Sequence, residues 1–153
     1  MAGVSRTRTI AAAPERVWGL VGDPYGFARW WPKAIRVEDV VGRGDRSRWT
    51  LVLQTEKGKP VRLDFRATGS TEGRRFAWEQ EIEGTPFERI LRSAEVELLI
   101  EADPAGGEGT RVELTAREKL RGMSRLGSPM MKSAGRARLD EALDGLERAL
   151  VED

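Results

Sequence analysis

Hydrophobic and polar residues alternate along most of the chain between residues 35 and 120. The clearest stretch is 61–69, VRLDFRATG, in which every second residue is apolar. The same pattern recurs in four further stretches, 47–55, 74–82, 88–102 and 110–120, which glycine-rich turns separate. A period of two places the apolar side chains of a strand on one face. One apolar face per strand predicts an antiparallel sheet that is covered on one side and wet on the other.

Helical spacing replaces this alternation after a first predicted strand at 4–12. Pro14 begins a short predicted helix, PERVWGLVG, whose apolar residues stand at i, i+3 and i+4. Asp23 and Pro24 then have the character of an N-cap and a first helical residue, which predicts a second short helix. Its Phe27, Trp30 and Trp31 share one side of the helix, so both indoles are expected to face apolar surroundings.

A long helix is predicted over 129–151, with Ser128 as its N-cap. Four leucines, Leu139, Leu143, Leu146 and Leu150, form one stripe along it. A helix of this length measures about 33 Å, which is enough to cross the sheet. The predicted order is therefore one strand, two short helices, six strands and one long helix, in a single domain over 1–153.

The charge balance argues against nucleic-acid binding. Lys and Arg number 26 against 25 Asp and Glu, and the basic residues are dispersed rather than gathered in one patch. No stretch approaches the roughly 20 apolar residues of a membrane span, and 1–18 lacks the apolar run of a secretory signal. We therefore expect a cytoplasmic protein that is not integral to a membrane.

The sequence contains neither Cys nor His. Their absence excludes disulfides, thiol nucleophiles, thiolate metal sites and every Ser-His-Asp arrangement. No metal and no cofactor are expected. Any acid–base chemistry must fall to Asp, Glu, Lys, Tyr25 or water.

Two segments resemble a known superfamily: APERVWGLVGDPYGFARWWP at 13–32 and RLDEALDGLERAL at 138–150. Together with the order of elements they are similar to the START-related polyketide cyclase and lipid-transfer superfamily, often called SRPBCC. The resemblance implies a helix-grip fold, in which a curved seven-stranded antiparallel sheet wraps around the C-terminal helix. It also implies a cavity between the two, roofed by the short helices.

The resemblance does not fix the function, because its members include lipid carriers, hormone receptors, aromatase/cyclases and chaperone activators. No local active-site motif of the cyclases matches this sequence, and the iron-dependent branch needs the histidines that are missing. No catalytic residue is therefore carried over.

Four polar residues are in phase with the apolar faces of predicted strands: Asp39, Gln80, Arg92 and Glu118. An unpaired charge inside costs several kcal/mol, so Arg92 and Glu118 need partners. On one interpretation these two meet on neighbouring strands and form the polar anchor, or the catalytic pair, of an apolar cavity. On the other, the phase slips near a strand end or bulge and the charges reach solvent.

The remaining candidates for ligand binding are apolar or small residues that the pattern places on the inner side. One of the two adjacent indoles is expected to anchor its helix and the other to help close the cavity mouth. The full set of predicted ligand-binding residues is Trp30, Trp31, Trp49, Phe65, Trp78, Gln80, Arg92, Met131, Gly135 and Leu139.

These observations favour a protein that binds a small hydrophobic molecule, such as a lipid, a polyketide-like aromatic or an isoprenoid. An enzyme with cyclase, dehydratase or isomerase chemistry would use the same cavity and a carboxylate. A third alternative is a protein-interaction module similar to the chaperone activators. The sequence leaves the oligomeric state undecided, with a homodimer as one alternative.

Overall fold

Seven antiparallel strands form one sheet in the computed structural model, which describes residues 3–122 and 129–151. The strands are β1 Gly3–Ile10, β2 Ala34–Val41, β3 Arg48–Gln54, β4 Pro60–Thr71, β5 Arg75–Gln80, β6 Leu91–Ala102 and β7 Thr110–Leu120. β2 to β7 pair in succession as a meander, and β1 joins the sheet beside β7. The predicted antiparallel sheet is confirmed.

In the described part of the chain, three α-helices pack with the sheet: α1 Pro14–Val21, α2 Phe27–Trp30 and α3 Pro129–Val151. Asp23 caps the segment that leads into α2 as predicted, since its Oδ1 accepts a hydrogen bond from the backbone N–H of Tyr25 at 3.0 Å. A 3-10 turn and then only four α-helical residues come after this cap, and Trp31 already has extended backbone. The predicted cap Ser128 lies outside the described residues.

The curved sheet wraps around α3, which gives the helix-grip architecture. The predicted leucine stripe is confirmed, because Leu139, Leu143, Leu146 and Leu150 are all at most 5% exposed. These leucines share one core with α1 and α2, whose Val17, Leu20 and Phe27 are also buried. The core is therefore densest around the C-terminal half of α3.

The edge strand β1 runs parallel to α3 and is fixed to it by charge. The Arg6 Nε lies 3.3 Å from Asp140 Oδ1, while Arg8 Nη1 lies 2.5 Å from Asp144 Oδ1 and 2.9 Å from Glu147 Oε1. Burial opposes the charge of Arg8, but the hydrogen bonds to the two carboxylates outweigh it, so its pKa is raised. These ion pairs fix the position of α3 along β1.

Four register shifts interrupt the sheet within the described residues, and two of them affect predicted inward-facing residues. One is a shift of register between Leu91 and Ser93 on β6, and the other lies between Glu38 and Val41 on β2. Asp39 within the second has a φ of 53° and is exposed, so the expectation that it faces inward is wrong. No helix in the described part of the chain has the length and hydropathy that a membrane span requires.

Candidate functional site

A cavity of about 600 Å³ lies between the inner face of the sheet and the N-terminal half of α3. β3 to β7 contribute its floor, and Ala134, Ala137 and Leu139 of α3 its roof. The turn after α2 and the connection between β5 and β6 complete the wall. Ile90 in that connection is 60% exposed, so the cavity opens to solvent beside it.

Aromatic side chains form the deep wall of the cavity. Trp31, Phe65 and Trp78 line it, and the Trp31 and Trp78 rings meet edge to face with centroids 6.0 Å apart. Behind this layer a second one is fully packed, with Trp49 stacked on Phe65 at 5.9 Å. Aromatic pairs at such distances stabilise the wall beyond their buried area alone.

The two adjacent tryptophans have separate surroundings. Trp30 is 2% exposed and stacks on Phe27 with centroids 5.3 Å apart, which fixes α2 in the core. Trp31 leaves the helix with extended backbone, and its ring lies against the cavity at nearly a right angle to that of Trp30. Because α2 ends after Trp30, the two indoles have different orientations.

Gln80 brings an amide into the apolar wall. It lines the cavity, and its Nε2 is buried with no hydrogen-bond partner among the described residues. An unpaired buried donor costs about 1–3 kcal/mol. A guest oxygen that accepted a hydrogen bond from this amide would remove that cost.

An ion pair joins the sheet to α3 at the cavity. Arg138 Nη2 on α3 donates to Glu118 Oε1 on β7 at 2.5 Å, and both residues line the cavity. Their side chains are 48% and 34% exposed, so the pair sits near the opening. Among the described residues no group of three or more acidic side chains is placed to hold a metal ion.

Arg92 is a predicted site residue that the structure places away from the cavity. It is exposed and does not line the cavity, whereas Leu91 beside it is buried and does. The cause is the bulge between Leu91 and Ser93, which moves the inward phase from even to odd positions at the start of β6. Glu118 therefore pairs with Arg138 of α3 and not with Arg92.

Four other predicted residues also lie off the cavity. Trp30 and Trp49 belong to the packed core. Met131 is 43% exposed and is not part of the lining. Gly135 is buried against β1, where an added Cβ would come within 3.1 Å of Val4 Cγ2, so its role is close packing of helix on strand.

The sequence missed several residues that line the cavity. Leu53 and Leu63 are in phase with Trp49 and Phe65 and could have been found by alternation. Ala134, Ala137 and Arg138 carry no such signal, because only the placement of α3 decides which side of it faces the cavity.

Fold and site together define a helix-grip protein with an internal apolar cavity. The structure of TTHA0849 from Thermus thermophilus is 26% identical, with a TM-score of 0.73 over 96% of this chain and 95% of that one. A START superfamily protein from Mycobacterium smegmatis is 17% identical, with a TM-score of 0.76 over 98% of this chain and 97% of that one.

The di-domain ARO/CYC BexL from the BE-7585A biosynthetic pathway is 21% identical, with a TM-score of 0.76 over 97% of this chain and 46% of that one. The last two likenesses show the fold alone. No protein with a curated description matches the chain.

The chain belongs to the family described as Polyketide cyclase / dehydrase and lipid transport, whose profile matches residues 1–151. The resemblance that the sequence suggested is thereby confirmed. Family and fold indicate binding of a hydrophobic ligand or a polyketide cyclase-like activity.

Proposed function

We propose that this protein binds a small hydrophobic molecule in the cavity between the sheet and α3. The observation that carries the proposal is the cavity itself, whose volume of about 600 Å³ falls within the range of about 300–1,000 Å³ common to small-molecule sites. Burial of apolar surface at about 25 cal/mol per Å² would drive binding.

The lining supports a flat or partly aromatic guest with one polar end. Trp31, Phe65 and Trp78 offer ring faces and edges in the deep wall. Gln80 offers a hydrogen-bond donor among them, and the Glu118–Arg138 pair is polar at the other side. Convergent polar groups in an apolar cavity give a guest its orientation.

Binding is a better account of this geometry than catalysis. Glu118, the acid–base candidate that the sequence predicted, is engaged by Arg138 at 2.5 Å. A cyclase or dehydratase remains the second candidate, since a carboxylate does lie in the cavity wall.

The proposal is tested by filling the cavity. Ala94 on β6 lines it, and Ala94→Phe would place a ring where the guest should lie. Titration with the neutral dye Nile red, followed by its fluorescence, should show binding to the wild type and at least about tenfold weaker binding to the variant. Circular dichroism checks that the variant is folded.

Ala105→Phe is the matched control. Ala105 lies in the exposed turn between β6 and β7, so the same ring is added without entering the cavity. Its affinity for the dye should equal that of the wild type. If the wild type binds no dye, or Ala94→Phe binds it as well as the wild type does, the proposal is wrong.

A further inference from the structure

We infer that the cavity selects guests whose polar end donates a hydrogen bond, a hydroxyl above all, and discriminates against guests that end in a carboxylate. The inference rests on the proposed function and names the chemical class of its ligand. Its basis is the pairing of the charged residues that line the cavity.

The charged side chains that face the cavity balance: two are acidic, Glu118 and Glu141, and two are basic, Lys33 and Arg138. The side chain of Glu95 points to the outer face of the sheet, because it lies between the inward Ala94 and Val96 on β6. The cavity therefore has no excess positive charge to attract an anionic guest.

Each cation of the lining already has a carboxylate beside it. Arg138 donates to Glu118 at 2.5 Å, and Lys33 Nζ lies 3.8 Å from Glu56 Oε1, outside the lining. Glu141, by contrast, has no ion-pair partner in the described part of the chain. Among the described residues, the one unpaired charge of the lining is therefore negative.

The hydrogen-bonding capacity of Glu118 points the same way. Its Oε1 accepts from Arg138, and no hydrogen bond to its Oε2 occurs within residues 3–122 and 129–151. A carboxylate only accepts, so a group that meets Oε2 must be a donor. A hydroxyl meets this condition, whereas a guest carboxylate would bring a second negative charge next to Glu118.

Position on the sheet makes Glu118 accessible to a guest. Glu118 on β7 lies directly opposite Ala94 on β6, and both side chains line the cavity. The methyl group of Ala94 leaves open space beside the carboxylate on the inner face. A flat guest that lies over Ala94 brings its end to Glu118.

Two probes with the same ring system test the inference: 2-naphthol and 2-naphthoate, titrated by calorimetry near neutral pH. The acid is ionised there and the phenol is not. The wild type should bind the naphthol at least about tenfold more tightly than the naphthoate.

Glu118→Gln should reverse this preference. The substitution keeps the shape of the side chain, removes the competing charge and releases the Arg138 guanidinium to bind a carboxylate. Affinity for the naphthoate should rise by about tenfold or more and that for the naphthol should fall. Because about half of the Arg138 side chain and a third of the Glu118 side chain are exposed, loss of the pair should leave the fold intact.

Two further variants control for charge alone. Glu113→Gln makes the same change on β7 at a residue that does not line the cavity, and it should keep the wild-type ratio of the two affinities. Arg138→Gln removes the cation and should weaken naphthoate binding relative to the wild type.

The outcomes separate the two proposals. If both naphthalenes bind the wild type equally, or if Glu118→Gln leaves their ratio unchanged, the selectivity is overturned while binding in the cavity stands. If neither naphthalene nor Nile red binds, the proposed function itself is wrong and the selectivity falls with it.

Discussion

At the scale of single residues, charged side chains cover the outer face of the sheet, whereas aromatic rings lie on its inner face. Val52 on β3 points outward yet is 0% exposed. Its cross-strand neighbours are Arg36 and Arg62, and Glu38 accepts hydrogen bonds from both of them. The aliphatic stems of the two arginines therefore cover an outward valine, while their charged ends meet at one carboxylate.

Glu38 makes stability depend on pH. Its hydrogen bond from Arg36, together with the charge of Arg62, holds the pKa of Glu38 below the ordinary value of 4.5. A carboxyl whose pKa is depressed by folding stabilises the protein above its unfolded pKa, and this contribution is lost as the pH falls through the folded pKa.

Glu38→Gln should therefore lower the free energy of unfolding at neutral pH and have little effect well below pH 4.5. Urea denaturation over a series of pH values measures this, and added salt should shrink the difference. Glu72→Gln, in the exposed turn between β4 and β5, is the control and should show no such dependence. A constant difference at all pH values would contradict the assignment.

At the scale of elements, the close packing of α2 on α3 depends on one glycine. A Cβ at position 145 of α3 would lie 2.2 Å from the backbone oxygen of Trp30, the last residue of α2. Backbone cannot rotate away as a side chain can, so the two helices must separate if the glycine is replaced.

Gly145→Ala should destabilise the protein by about 1–3 kcal/mol, even though alanine is the better helix former. Gly19→Ala in α1 is the matched control, since nothing lies within 4 Å of its added Cβ. That variant should be as stable as the wild type or more stable by up to about 1 kcal/mol. Chemical denaturation of both distinguishes the outcomes, and equal stabilities would refute the packing argument.

The elements were predictable from sequence where one periodicity decides them. Alternation in 61–69 and 110–120 predicted the strands and their buried faces. A strand with one buried face places an apolar side chain at every second residue. The leucine stripe of α3 follows from helical spacing in the same way.

Departures from a single periodicity were not predictable. Whether Leu91 or Arg92 faces inward depends on a bulge, which is set by how β6 meets β7 and not by either strand alone. The partner of Glu118 depends on where α3 lies, so the pairing with Arg138 needed the assembled fold. Trp30 and Trp31 could be separated in role only once the end of α2 was known.

At the scale of the whole molecule, the interior is divided along α3. Its C-terminal half is packed into the core through Leu143, Leu146 and Leu150, and its N-terminal half roofs the cavity. Local stability follows buried contacts, so the two halves should open with different free energies.

A bound guest should therefore protect one half of the helix selectively. With Nile red bound, amide hydrogen exchange over 130–141 should slow, while exchange over 142–150, which is already protected by the core, should change little. Mass spectrometry of peptic peptides with and without the dye measures this. Equal protection of both halves would show that the dye binds elsewhere or acts on the whole fold.

The pairing of β1 with β7 also affects how the chain folds during synthesis. β1 leaves the ribosome before the rest of the sheet, yet its strand partner is complete only at Leu120 and its helix partner only near Val151. Until then the concave side of the growing sheet is bare and its apolar rings are wet. The sheet should thus be covered only once α3 has emerged, and the nascent polypeptide is the form most exposed to aggregation.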